Sequence, residues 1–328
     1  RENGWFKGKD KDFDFQKAYN PYDFSGLRAC EARVWSFFRT FDKSMDKYKK
    51  HIMGDASEEP MPLYIIPDRK VSLADVREGM RNHYEGTELS MTNDPGAGVY
   101  KVPYRWRPMT FKSEGREYFN ERAIATQQTG FVLIAQMRSW LPDAVGGILW
   151  FGVDDANTAV LTPMYASITE IPECYRRGNG SMTEFSWTSA FWIHNWVANM
   201  AYNRYEPMIR DIRPVQKELE DSYVDLVKNT DAKALELLKS SPAQATAYLT
   251  EVCGKVANEA TARWKKLGEY LLVKYMDGNV KKEKDGKFEE NGYGQIVSPN
   301  FPGYSQEYYD QVAKSEEAKH LEVPKKDK

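Results

Sequence analysis

Residues 123–138 read A-I-A-T-Q-Q-T-G-F-V-L-I-A-Q-M-R, an apolar run whose valine, isoleucine and phenylalanine predict a β-strand bent at Gly130. A second strand follows in V-G-G-I-L-W-F-G-V (145–153), and the cluster Asp154-Asp155-Ala156-Asn157 predicts a turn into a third, T-A-V-L-T-P-M-Y (158–165). Connections this short favour an antiparallel meander, because parallel strands need a long crossover. The near-continuous apolar character of all three predicts a sheet covered on both faces.

Working outward, the period changes on either side. Toward the N-terminus, residues 1–24 read as a loop or short edge element. Apolar residues at Leu27, Cys30, Val34, Phe37 or Phe38, and Phe41 then predict a helix capped by Ser25. P-M-P-L-Y-I-I-P (60–67) predicts a short strand fenced by prolines, and Ser72 starts a helix carrying Leu73, Val76 and Met80 to Arg81, with Gly86 as its stop. Toward the C-terminus, Trp187, Phe191, His194 and Val197 form a helical stripe. A helical region over 207–275 follows, broken near Asn229 and at Ser241-Pro242, and 276–328 reads as an irregular wrapping tail. The predicted class is α+β, in three stretches: 1–206, 207–275 and 276–328.

Composition narrows the function classes. Of 328 residues, 41% are hydrophobic and 13% aromatic, enough apolar surface to exclude a disordered chain. Lys+Arg 46 against Asp+Glu 48 leaves a formal charge of −2, which supplies no general field for nucleic acid. No window reaches the ~18–20 apolar residues of a membrane helix. Cys30, Cys174 and Cys253 are odd in number and widely spaced, which suits neither a disulfide framework nor a CxxC zinc site. The chain opens R-E-N-G-W, without Met, signal-like apolar run or nucleophile at residue 1, and so reads as a sequence entered in its middle.

Self-contained catalytic motifs are sparse. His51, His83, His194 and His320 never pair at ligand spacing, Gly146-Gly147 lacks a phosphate-loop pattern, and no G-x-S-x-G elbow occurs. Each cysteine reads as a small buried hydrophobe, and Trp187, Trp192 and Trp196 at helical spacing read as core. The densest polar cluster is Arg81-Asn82-His83-Tyr84-Glu85-Gly86-Thr87. It is suited either to hold a carboxylate or orient a peptide, or to finish a helix with Arg and His near the negative dipole end. Arg33 stands off the Cys30/Val34 stripe and is either a solvated charge or one aimed into a cleft.

The runs R-N-H-Y-E-G-T, I-A-T-Q-Q-T-G-F-V-L-I-A-Q-M-R-S-W-L-P, G-G-I-L-W-F-G-V-D-D, P-M-Y and E-I-P-E-C-Y-R-R-G together resemble the cysteine dipeptidase family, most of all its bacteroidetes-type members. That family belongs to the N-terminal-nucleophile hydrolases, so the resemblance implies part of a four-layer αββα sandwich, with its first strands absent from 1–206, and an enzyme that cleaves dipeptides. It implies a cysteine nucleophile at the mature N-terminus, with its own α-amino group as base, and no cofactor. Residue 1 is Arg, so the nucleophile lies outside these residues, and the chain is expected to be an inactive C-terminal portion of a longer precursor.

Few residues carry over. Ala32-Arg33-Val34-Trp35 loosely resembles a serine-arginine-aromatic stretch of related amide hydrolases, which makes Arg33 the catalytic candidate, supporting the thiolate or the substrate carboxylate. Arg81 and His83 are substrate-binding candidates through their place in a matching motif. The expected partners are a small peptide substrate and the missing N-terminal portion, with self-association left open. Family habit places the protein in the periplasm or outside the cell. The alternative is a noncatalytic ligand-binding or scaffold protein on the same fold, its aromatics lining a groove.

Overall fold

Helices begin where a side chain can satisfy the first free backbone N–H groups. In the computed structural model, which describes residues 2–20, 22–296 and 300–323, Asp23 accepts from the Gly26 N–H at 2.6 Å. It opens a run that passes through a π-helical turn, Leu27–Glu31, into α1, Ala32–Arg39. The cap is therefore Asp23, not Ser25: a carboxylate is the stronger acceptor at the positive end of a helix. The wider π turn rotates the face that follows it, so Cys30 and Val34 point to solvent while Leu27, Ala29, Ala32 and Trp35 are buried. Trp35 donates from Nε1 to the Met45 carbonyl at 2.8 Å, anchoring a small core with Met45, Ile52, Tyr84, Leu89 and Ala123.

Residues 60–67 form no strand. Pro60, Pro62 and Pro67 lack N–H donors for a ladder, and Leu63, Tyr64 and Ile66 stand in solvent. The next helix, α2 (Leu73–Met80), starts as expected: Ser72 and Asp75 exchange bonds in a capping box, and Arg69 grips Asp75 through two 2.7 Å contacts. A hairpin not foreseen from the sequence follows, β1 (Thr110–Ser113) and β2 (Arg116–Phe119), turned by Glu114-Gly115 with both residues left-handed.

The meander is present: β3 (Phe131–Met137), β4 (Gly147–Val153) and β5 (Thr162–Tyr165) pair antiparallel in that order. Strand β3 begins only after Gly130, because Thr126–Thr129 closes a turn and Ala125 bonds instead to the Asn82 carbonyl at 3.0 Å. Pro163 is tolerated since β5 is an edge strand. Alternation then sorts the side chains. Val132, Ile148 and Trp150 turn inward, whereas Phe131, Leu133, Met137 and Leu149 turn outward and are exposed, Met137 by 76%. Of the sheet expected to be covered on both faces, the described residues cover the inner face alone. An apolar strand reveals that two faces are greasy, but the described residues supply a layer for one.

That layer is helical. Helix α3 (Ala190–Asn203) and the long pair α4 (Tyr205–Ser240) and α5 (Pro242–Tyr275) cover the inner face. No break occurs at Asn229, which lies on the exposed side of α4; the single interruption is at Ser241, whose side chain caps α5 ahead of Pro242. Buried Ile212, Tyr223, Val227 and Ala234 on α4 face Leu249, Cys253, Ala257, Trp264 and Leu271 on α5. The Cys253 sulfur accepts from the Tyr165 N–H at 3.4 Å, tying α5 to β5. Asp231 of α4 accepts from Arg138 and, at 2.6 Å, from Tyr165 Oη.

Both ends of the chain carry more order than a loop and an irregular tail. A short helix, Phe15–Tyr19, lies in the first segment. A two-residue hairpin, β6 (Glu283–Lys284) with β7 (Lys287–Phe288), and helix α6 (Gln306–Lys314) lie in the last. The class is α+β, with small antiparallel sheets and a helical C-terminal region.

Trp264 is the largest wholly buried side chain of α5 and stacks on His194 with ring centres 5.1 Å apart. Trp264→Ala should lower unfolding stability by about 3–5 kcal/mol in urea titrations, through lost transfer energy and an unfilled cavity.

Candidate active site

The chain leaves α2 through Arg81 and turns sharply at Tyr84, whose φ of 65° is left-handed. Arg81 is buried there. Its Nη2 donates to Glu220 at 2.6 Å and its Nη1 to Glu78 at 2.7 Å. His83 is wholly buried: Nε2 lies 3.0 Å from Tyr202 Oη and Nδ1 lies 3.3 Å from Asn157 Nδ2. Tyr202 donates to Asp155 Oδ1 at 3.1 Å, and Asn157 Nδ2 also donates to the Arg81 carbonyl at 2.9 Å. Glu85 Oε1 also lies 3.4 Å from Nδ1, so the ring is held between Tyr202 on one side and Asn157 with Glu85 on the other. Burial, and then Asp155, push the Tyr202 phenol well above its ordinary value, so it stays protonated. Arg81 and His83 therefore hold the Asp154–Asn157 turn against α3 and α4, away from solvent.

At the head of that turn Asp154 ends β4. Its backbone is left-handed (φ 68°), and its carboxyl is 1% exposed. Oδ1 accepts from Asn195 Nδ2 at 2.8 Å, while Oδ2 is buried with no hydrogen-bond partner among the described residues. Burial pushes this carboxyl up to about 7, against an opposing contribution from Asn195. A row of amides continues outward from it: Asn199 donates to Asn195, and Gln127 donates to Asn199 at 2.8 Å. Asn195, Asn199 and Gln127 form one wall of an open cleft whose other lining includes Tyr104, Trp106 and Arg107.

The cleft shares Tyr104, Trp106 and Arg107 with a narrower hollow that is lined also by Asn120, Glu121, Arg122 and Thr126. Arg122 is held by its backbone, whose carbonyl accepts from Tyr84 Oη at 2.8 Å. Burial lowers its guanidinium, with Arg33 and Arg107 repelling it further. Arg33 reaches this group from α1, its Nη2 4.0 Å from the exposed Cys30 sulfur. The structure thus places Arg107 and Arg122 in the lining of the cleft and Arg33 beside Cys30, near enough for its charge to act on Arg122, and sets Arg81 and His83 apart in the buried network.

The other candidates fall elsewhere. Cys174 and Cys253 are buried, and burial raises both thiols, Cys253 to about 11, which disfavours the thiolate. His194 is driven down to about 3 by burial under Trp264 and is neutral near pH 7. The core reading of the tryptophans fails for two of them: Trp187 is half-exposed and packs edge-on against Trp196, and Trp192 bonds to the Ser181 carbonyl and lines a separate surface groove. Among the described residues no group of three or more His, Cys, Asp or Glu could hold a metal ion, and no helix is long and apolar enough to cross a membrane.

A model of peptidase family C69 matches residues 1–218. The chain belongs to that family. Curated relatives of this C69 chain include a probable dipeptidase B of Lactococcus lactis subsp. lactis (strain IL1403), 26% identical over 270 residues that cover 80% of the chain and 50% of the relative. A probable dipeptidase of Latilactobacillus sakei is 26% identical over 69% of the chain and 46% of its own length. One from Salmonella dublin is 26% identical over 50% and 32%. The C69 chain spans about half the length of the first of these relatives.

Sequence reasoning read Asp154 only as a turn residue. The signal available was an acidic pair directly after a buried apolar strand, where a carboxylate has little reason to sit unless something holds it. A carboxyl whose folded value lies near 7 keeps its proton where the unfolded chain, at 3.8, has lost it. Its contribution to stability therefore falls as pH rises between those two values. Asp154→Asn should remove that decline, a difference on the order of 3–4 kcal/mol between acid and neutral pH. Urea midpoints of wild type and variant across the window test this, and parallel curves would rule it out.

Proposed function

We propose that the chain is the C-terminal portion of a cysteine dipeptidase of the N-terminal-nucleophile type, whose nucleophile lies in a preceding segment of the same precursor. The observation that carries this reading is the family C69 match over residues 1–218, joined to relatives named dipeptidases that are about twice as long as the matched region. The outward face of the meander adds support. Phe131, Leu133, Met137 and Leu149 make an apolar surface of the kind that a second sheet covers in a sandwich, about 10 Å away. With that sheet in place, the architecture becomes the four-layer αββα sandwich.

In this reading the α-amino group of the N-terminal cysteine, with an ordinary value near ~8, takes the thiol proton. The thiolate attacks the dipeptide carbonyl, and donors of an oxyanion hole stabilise the tetrahedral adduct. Collapse transfers the proton to the leaving amine and forms a thioester, which water then hydrolyses to release the second amino acid and restore the thiol. Arg33, near enough for its charge to act on Arg122, supports the thiolate or the substrate carboxylate. Export to the periplasm or beyond accompanies this reading, since removal of a leader is one way to expose a terminal cysteine.

N-terminal sequencing and intact mass of the mature native protein test the proposal. A mature chain beginning with Cys, upstream of Arg1, is the expected result, and native translation starting at Arg1 would sink it. Residues 1–328 alone should release no amino acids from dipeptides. In the full-length enzyme, Arg33→Ala should lower kcat/KM by at least about 100-fold, and a change below about threefold with intact folding removes Arg33 from the site.

A further inference from the structure

Four other arginines have their charges answered. Arg28 pairs with Glu121, Arg39 with Asp46 at 2.5 Å, Arg105 with Asp94 at 2.7 Å and Arg81 with Glu220 at 2.6 Å. Arg33, Arg107 and Arg122 do not: among the described residues none of them forms an ion pair. Arg107 spends its Nε on the Gln128 side-chain oxygen at 3.0 Å, Arg33 keeps a buried Nε with no partner, and Arg122 is tethered only through its backbone. Glu121 also lines the cleft: Arg28 engages one of its oxygens, and the other is buried with no hydrogen-bond partner among the described residues, so the three unpaired guanidiniums face at most one carboxylate that Arg28 already pairs. The local balance is strongly positive in a protein whose formal charge is −2.

Like charges gathered beside a partly desolvated guanidinium cost free energy, and an anion seated among them recovers it. A planar fork of N–H groups matches a carboxylate through two parallel bonds, which a lone lysine does not. We propose that Arg107 and Arg122, backed by Arg33, form a carboxylate-reading site that takes the free C-terminal carboxylate of a short peptide, with the peptide backbone lying along Gln127, Asn195 and Asn199. This deepens the dipeptidase reading and rests on it. It makes the enzyme a reader of chain ends: a longer peptide would place uncharged amide where the arginines need a charge. The same carboxylate chemistry could come from an Asp or Glu elsewhere in the precursor, and the experiment separates the two sources.

The test compares alanylalanine with alanylalanine amide as substrates of the full-length protein. The wild type should favour the free acid by at least about 30-fold in kcat/KM, mostly through KM. Arg122→Gln should reduce that preference to below about threefold, and Arg122→Lys, a gentler change should the glutamine variant fold poorly, should retain part of it. Equal use of acid and amide by the wild type overturns the proposal. So does a variant that loses both substrates in the same proportion, the result expected if the arginines answer a carboxylate of the protein itself. Calorimetric binding of alanine and alanine amide to the same protein decides the matter independently of turnover. A protein that binds alanine over its amide yet hydrolyses neither peptide would refute the dipeptidase reading and leave the carboxylate site standing; equal binding would refute the site.

Discussion

Glu220 sits on α4 with almost no exposure, and three parts of the fold converge on it. Arg81, just past α2, donates to one carboxylate oxygen at 2.6 Å, the Leu161 N–H ahead of β5 donates to the same oxygen at 3.0 Å, and Arg77 stands 4.0 Å from the other. Arg77 in turn lies over the Trp150 ring of β4 at 4.5 Å. A charge this deep carries a large desolvation cost, offset only while every partner stays in place. Losing one partner leaves the others buried and unpaired, so α2, the sheet and α4 are held in one arrangement.

The cleft inherits that rigidity. Because Arg81 is held by Glu220, its backbone carbonyl can fix Asn157, and Asn157 with Tyr202 and His83 fixes the turn that follows β4. Asp154 opens that turn in a left-handed conformation that an L-residue adopts only at a cost. Its carboxyl is thereby placed under Asn195 at the end of an amide row. The arginines at the other end arrive by a separate route, from α1 and from the loops flanking the β1–β2 hairpin. The cleft is thus lined by neutral amides at one end and by arginines at the other.

Legibility followed the range of the interactions. The capping box at Ser72-Asp75 and the meander over 131–165 were readable because they depend on neighbours or on alternation. The strand expected at 60–67 failed because proline content decides hydrogen bonding more than apolar content does. Cys30 was expected on an apolar face and is exposed because a π turn shifts the helix by part of a turn, and no pattern of side chains announces that. Arg33 was readable as a candidate, but its companions Arg107 and Arg122 were not, since they lie 74 and 89 positions away along the chain.

By itself the sequence determined the α+β class, the three antiparallel strands, the long helices and a resemblance strong enough to name a peptidase family. Each of these is local or compositional. Only the tertiary structure decided which charges are answered: Arg81 and His83, the most conspicuous polar cluster on paper, are absorbed into packing, while Arg107 and Arg122, set in unremarked loops, line the cleft and form no ion pair among the described residues. The physical reason is that a charge takes its meaning from burial and from partners brought together by folding, and neither is a property of its neighbours in the chain.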